Sequence, residues 1–289
     1  MLPRRIVTAL VLAAACHGCS MPPIPQGSME EIYPAPPRPM LYVRDIEGAP
    51  LAWAEFGGAG SPPVLFVHGS PGDWKAWARY LVNDGLAGMG TRRAVDRPGF
   101  AGSAGSGAVV SLEGQARRLL ALADPKSPPL VVGHSLGGPI AVRMAIDDPA
   151  RVRGVLMIAG SISSQREGVR WYNRLAATPG LRAILPAEWR VSNQEMFALK
   201  PELERLEADL PRLRTPVILL QGEKDDLVDP KSVDDFVARV PNALVRVVKL
   251  PEMDHFLLWT HPEVVIRALE DLADWTRVTP ASAAAPSPG

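Results

Sequence analysis

The chain has 289 residues, 31 basic and 31 acidic side chains, and 47% hydrophobic residues. That length suits one sizeable domain carrying an insertion. The charge balance, without a dense basic run or a basic stripe interleaved with aromatics, argues against a nucleic-acid partner. Beyond residue 20 no uncharged apolar stretch reaches the ~20 residues that span a bilayer. The two cysteines, Cys16 and Cys19, sit at the N-terminus and leave no structural disulfide for the fold.

Arg4 and Arg5 precede an apolar run over residues 6–15, the length of a signal-peptide core and short of a membrane span. Residues 1–20 therefore read as an export signal. Ala13-Ala14-Ala15 precede Cys16 and Gly18 precedes Cys19, so the segment resembles a bacterial lipoprotein signal with Cys16 or Cys19 as the lipidated residue. Ordinary signal-peptidase cleavage after Ala15 is the alternative, giving a secreted or periplasmic protein. The C-x-x-C spacing has neither a second cysteine pair nor a βαβ context to make it a redox or zinc motif. Residues 21–39, dense in proline, read as a semi-extended linker lifting the domain off its anchor.

Residues 40–44 and 51–56 read as an opening antiparallel pair. Short apolar runs at 64–67, 93–95, 130–133, 155–159, 217–220 and 244–248 suit strands buried on both faces of a parallel sheet. Helical stretches at 74–83, 112–123, 136–146, 231–240 and 263–276 alternate with them. The last repeats Val264, Ile266, Leu269, Leu272 and Trp275 with charges between. The alternation predicts an α/β fold over residues 40–277: a doubly wound, mostly parallel sheet of about eight strands with helices on both faces. Residues 161–212 break the rhythm with helical pieces and no strand, so they read as a helical lid. Its large apolar residues, such as Trp171, Trp189 and Phe197, mostly pack the insertion onto the sheet, while a few line a substrate pocket. The tail, 278–289, is rich in Ala, Pro and Ser and has too little apolar surface to offset the entropy of ordering.

The pentapeptide Gly133-His134-Ser135-Leu136-Gly137 follows the apolar run at 130–132 and opens a helix. A strand that reverses sharply into a helix strains its turn residue and needs small neighbours two places either side. Gly133 and Gly137 meet that need. The turn lifts the Ser135 hydroxyl clear of the sheet, and the Leu136 amide at the helix N-terminus points into the same space as an anion donor.

Two further motifs end earlier strands: His68-Gly69-Ser70-Pro71-Gly72-Asp73, and Asp96-Arg97-Pro98-Gly99-Phe100-Ala101-Gly102-Ser103. With the serine turn, and in this order, they resemble the α/β-hydrolase family over residues 40–277. The resemblance implies a serine nucleophile at Ser135, followed along the chain by an acid and a histidine. Of the two downstream histidines, His255 follows the last strand, where the family carries its base; His261 precedes Pro262 as a helix-entry residue. Asp254, where the family often has glycine, puts a carboxylate beside that base. Asp225, three residues after Gly222 and before Leu227-Val228, matches the family's acid, with Glu223, Asp226 and Asp229 as solvated loop charges. The oxyanion hole falls to the amides of Ser70 and Leu136, and His68 and His134 take structural roles.

These expectations amount to an exported serine hydrolase acting on a small-molecule ester, or an amide, through an acyl-enzyme on Ser135, without metal or cofactor. Two rivals share the triad. Proline iminopeptidases resemble the segment at 68–72 and would need lid carboxylates for a substrate amine, with Glu188, Glu195, Glu202 and Glu204 available; cofactor-free haloperoxidases share the whole constellation. A non-catalytic envelope protein that binds a lipid or a partner with its lid is the reading from another class.

Overall fold

A computed structural model describes residue 25, residues 27–240 and residues 244–278. The export signal with Cys16 and Cys19, the first part of the linker and the tail beyond residue 278 lie outside the described residues. The eight expected strands are β1 (Met40–Ile46), β2 (Ala49–Ala59), β3 (Val64–Val67), β4 (Gly90–Asp96), β5 (Leu130–His134), β6 (Gly154–Ile158), β7 (Val217–Gly222) and β8 (Val245–Leu250). They form one open sheet in the order β1-β2-β4-β3-β5-β6-β7-β8. β1, β2 and β4 pair antiparallel, and every other neighbouring pair is parallel.

Alternation along the strands sorts side chains between two cores. Leu65, Val67, Val131, Val155, Met157, Val217 and Leu219 enter one cluster. Their neighbours Val64, Phe66, Leu130, Val132, Leu156, Ile158, Ile218 and Leu220 enter the other. Each core needs a helical layer to exclude water, which is why the central strands are apolar throughout. β8 differs from expectation: Val247 and Val248 are partly exposed, because β8 is the sheet edge.

The helices are α1 (Met29–Ile32), α2 (Ala78–Leu81), α3 (Leu112–Leu120), α4 (Gly137–Asp147), α5 (Trp171–Ala176), α6 (Pro179–Ile184), α7 (Ala187–Asp209), α8 (Ser232–Val237), α9 (Leu257–Thr260) and α10 (Pro262–Val278). α3, α4 and α7 cover the first core, while α2, α9 and α10 cover the second. The stretch expected as a helix at 74–83 is a 3-10 turn, Trp74–Trp77, running into α2. The insertion between β6 and β7 is helical as expected and consists of α5, α6 and α7. In α7 the buried positions Val191, Ser192, Glu195, Leu199, Glu202, Leu203 and Leu206 recur at helical spacing. Two carboxylates thus lie inside the stripe that faces the core.

The linker is less extended than its prolines imply. Ser28 and Glu31 form a capping box that starts α1, and Tyr33 is buried against the second core. The Tyr33 hydroxyl donates to the Ala78 carbonyl at 2.5 Å, and Arg38 donates to the Tyr33 and Pro34 carbonyls at 2.6 and 2.8 Å. Residues 28–38 therefore belong to the folded unit. Tyr33→Phe strands a buried carbonyl and should lower the free energy of unfolding by about 1 kcal/mol, read as a lower urea midpoint with an unchanged m-value; an unchanged midpoint would show that the contact contributes nothing.

Candidate active site

β5 ends at His134 and the chain turns at Ser135, whose φ of 52° is left-handed for a residue with a side chain. Such strain costs on the order of 1–3 kcal/mol and persists only where neighbours over-determine it. The Ser135 amide donates to the Ile158 carbonyl at 2.9 Å, and the Ser135 carbonyl accepts from the Gly138 amide at 2.9 Å. A Cβ on Gly133 would meet the Gly137 carbonyl oxygen at 2.2 Å, and one on Gly137 would meet the Val67 carbonyl oxygen at 2.2 Å. Strand, turn and helix can approach this closely only with glycine at both places.

Ser70 and Leu136 flank this turn. The loop after β3 lies against it, since a Cβ at Gly69 would stand 2.9 Å from the Ser135 Cβ; Ser70 follows directly. Leu136 caps α4, whose first-turn amides have no intrahelical acceptor and sit at the positive end of the helix dipole.

Asp225 and His255 come from the loops after β7 and β8, and both are buried. His255 Nδ1 donates to Asp225 Oδ2 at 2.9 Å. Asp225 Oδ1 accepts from the Leu227 and Val228 amides at 2.9 and 2.8 Å, and Oδ2 also accepts from Gln221 Nε2 at 3.1 Å. Burial alone would raise this carboxyl, but the hydrogen bond and charge interaction with His255 and the two amides hold it below its ordinary value. It stays ionised as the acceptor of the imidazole proton. Glu223, Asp226 and Asp229 are exposed, so of that loop's carboxylates only Asp225 is buried. Asp254 accepts the Phe256 amide at 2.8 Å, and His261 bonds the Thr260 hydroxyl at the entry to α10.

The other two histidines fasten the loops together. His134 Nε2 donates to the His255 carbonyl at 3.0 Å, tying the histidine loop to the residue before Ser135. Burial pushes His134 down to about 3, helped by the neighbouring His255. His68 Nδ1 donates to the Gly69 carbonyl at 2.7 Å, and its Nε2 accepts from the Arg97 amide at 3.0 Å. Burial and the adjacent Arg97 hold His68 well below its ordinary range. Both rings are neutral fixtures. Among the described residues no group of His, Cys, Asp and Glu is arranged to hold a metal ion. A cavity of about 190 Å³ opens between the starts of β3 and β4, at the other end of the sheet from Ser135.

Sequence reasoning did not find the buried charge network behind Ser70. Arg97 and Glu195 are shut off from water and pair at 2.5 Å (Nη1 to Oε1) and 3.1 Å (Nη2 to Oε2). Gln115 accepts from Arg97 at 2.7 Å and donates to Glu195 at 3.0 Å. Arg97 Nη2 also donates to the Gly69 carbonyl at 2.8 Å, and the Ser70 hydroxyl donates to Glu195 Oε2 at 2.5 Å. The available signal was a glutamate inside the buried stripe of α7. Glu167, in the insertion after β6, was missed too. It is half-buried and interacts electrostatically with His255 and Asp225.

Removing one partner of a buried ion pair leaves a charge without compensation. Glu195→Ala should therefore destabilise the fold by roughly 3–5 kcal/mol, and adding Arg97→Met should restore most of that; equal urea midpoints for the single and double variants would refute the pairing. Burial raises the Glu167 carboxyl from 4.5 to about 6, against the Ser161 hydrogen bond and Arg170. The folded chain thus holds this proton more tightly than the unfolded chain, and ionising it costs stability as pH rises from 4.5 to about 6. Glu167→Gln should raise the Tm above that window and have no such benefit below it; a gain independent of pH would contradict the assignment.

A family model described as "Alpha/beta hydrolase family" matches residues 64–268. The dihydrolipoyllysine-residue acetyltransferase component of the acetoin cleaving system from Cupriavidus necator is 36% identical over 117 residues, 40% of this chain and 30% of that protein. Monoglyceride lipase from Homo sapiens is 25% identical over 193 residues, 57% of this chain and 63% of the lipase. The chain spans less than two thirds of the length of either relative. A haloalkane dehalogenase loop variant from Bradyrhizobium elkanii superposes with a TM-score of 0.65 at 21% identity, covering 85% of this chain and 99% of that one, a likeness of fold alone. With the strand order, the strained serine turn and the family match over most of its length, this chain belongs to the alpha/beta hydrolase family.

Proposed function

We propose that this protein is a serine esterase that cleaves carboxylic esters through an acyl-enzyme on Ser135, with His255 as base and Asp225 as its orienting acid. The observation that carries the reading is the 2.9 Å bond from His255 Nδ1 to the buried Asp225 carboxylate, on loops fastened beside the strained serine turn. With Nδ1–H hydrogen-bonded to the Asp225 carboxylate, the imidazole keeps the Nε2 lone pair free to take the Ser135 proton as the hydroxyl oxygen attacks the ester carbonyl. The negative oxygen that develops meets the amides of Leu136 and Ser70. The Ser70 hydroxyl proton is committed to Glu195, so the backbone amide is the donor Ser70 offers. The imidazolium returns its proton to the leaving alcohol, then repeats the cycle with water to release the acid.

A monoglyceride lipase and an acetyltransferase component among the relatives support acyl chemistry. The resemblance to the family places an aspartate nucleophile in its dehalogenases, and serine stands there in this chain. The iminopeptidase alternative needs free carboxylates in the insertion. Glu195 is neutralised by Arg97, Glu202 accepts the Leu112 amide and pairs with Arg205, and Glu188 and Glu204 are exposed. None of these four is both buried and unpaired; Glu167, half-buried and interacting with His255 and Asp225, is the insertion carboxylate that a comparison of arylamide with ester turnover tests. The N-terminal residues support export, with lipidation at Cys16 or Cys19 holding the enzyme to a membrane.

Ser135→Ala should abolish turnover of short acyl esters and labelling by a fluorophosphonate, and Asp225→Asn should lower kcat by about 10⁴ through the wrong imidazole tautomer. Undiminished ester turnover in Ser135→Ala, or turnover of aminoacyl arylamides faster than of esters in the unmodified chain, would overturn the reading.

A further inference from the structure

The insertion carries a surface that catalysis does not use. Trp171 and Leu175 on α5, Ile184 on α6 and Phe197 on α7 are 63%, 49%, 59% and 43% exposed. Single exposed apolar residues are ordinary on soluble proteins, whereas several large ones on neighbouring helices point to an interaction site. Helical geometry separates two faces of α5. Asn173 bonds Asn193 of α7 at 3.0 Å and so faces inward. Trp171, Arg174 and Leu175, at i, i+3 and i+4, share the opposite face.

Charge on this arm is one-sided. Residues 168–187 contain three arginines, Arg170, Arg174 and Arg182, and no aspartate or glutamate, in a chain whose formal net charge is zero. All three arginines are exposed. Arg170 donates to the Asp226 and Leu227 carbonyls, which roots the arm on the loop that carries Asp225. No ion pair holds Arg174 or Arg182 among the described residues. Exposed tryptophan, leucine and isoleucine interleaved with unpaired arginine is the composition of a segment that lies in a lipid headgroup layer, apolar groups inserted and cations on phosphate.

The N-terminus adds a constraint of length. Because residues 28–38 are folded onto the domain, a lipid at Cys16 or Cys19 would leave twelve or nine residues to Ser28, a reach of at most ~30–43 Å. An anchored domain of this kind is held within that distance of the bilayer, so headgroups are the surface it meets most often.

We propose that the α5–α6 arm docks the domain onto an anionic phospholipid surface, and that the ester the enzyme takes is one carried by that layer. The second half of this proposal rests on the esterase reading; the docking half does not. Apolar side chains from two short helices supply insertion, and each arginine near an anionic surface adds roughly fivefold to partitioning at low salt.

The test uses the full chain with Cys16→Ser and Cys19→Ser, so that no lipid anchor contributes, and vesicles of phosphatidylglycerol and phosphatidylcholine in equal parts or of phosphatidylcholine alone. Trp171→Ala with Leu175→Ala, and separately Arg174→Gln with Arg182→Gln, are compared in this background. Cosedimentation should favour the anionic vesicles, fall about tenfold or more in each double variant, and fade for the arginine-dependent part at high salt. Turnover of a soluble short-chain ester should stay within about twofold, while hydrolysis of a monoacylglycerol embedded in the vesicles falls with binding. Equal vesicle binding by parent and variants, equal binding to neutral vesicles, or a concentration-dependent dimer that the same substitutions abolish would overturn the docking surface. Ser135→Ala separates the two readings: vesicle binding without turnover of either ester sustains both, and retained turnover sinks the esterase while leaving the binding result to stand or fall alone.

Discussion

A guanidinium that water cannot reach organises this molecule. Arg97 emerges from β4 into the interior, where a lone charge is untenable and must find a carboxylate and further acceptors. Glu195 answers from α7, Gln115 from α3, and the Gly69 carbonyl from the loop after β3. Three elements far apart in sequence are thereby fixed to one planar group. Because Ser70 donates to the same carboxylate, the position of the proposed oxyanion donor follows from the seating of α7.

The proposed catalytic groups obey the same logic of over-determination. Ser135 holds a strained backbone because β3, β5, β6 and α4 close around it with glycines at the two tightest contacts. His255 is fastened twice, by its ring to Asp225 and by its carbonyl to the His134 ring. Asp225 is fastened three times over, by Leu227, Val228 and Gln221. Little reorganisation is left to do when charge develops, which is the condition under which buried dipoles stabilise a transition state most.

How much of this was legible in the sequence follows from the range of the forces involved. The central strands β3 to β7 were readable because short apolar runs answer a local requirement, burial on both faces, and Ser135 was readable because its turn needs glycines within two residues. Asp225 and His255 were readable only from their order and loop positions through resemblance to the family; their meeting is a matter of tertiary geometry. The β8 edge was misjudged because an exposed valine pair reads the same as a buried one. The linker was misjudged because proline density hides a capping box and a single buried tyrosine. The Arg97–Glu195 pair was invisible because its partners stand 98 positions apart and no local pattern marks a charge as paired.

The two anchored carboxylates of α7 divide the insertion into parts with different freedom. Glu195 and Glu202 tie this helix to α3 and to the loops after β3 and β4, so substitutions along its inner stripe disturb the whole fold. α5 and α6 carry no buried side chain. Residues there can change without loss of core packing, and a lineage of this chain could exchange one contacted surface for another while the hydrolytic machinery beneath stayed as it is. Selection for specificity and selection for stability would then act on separate stretches of one insertion.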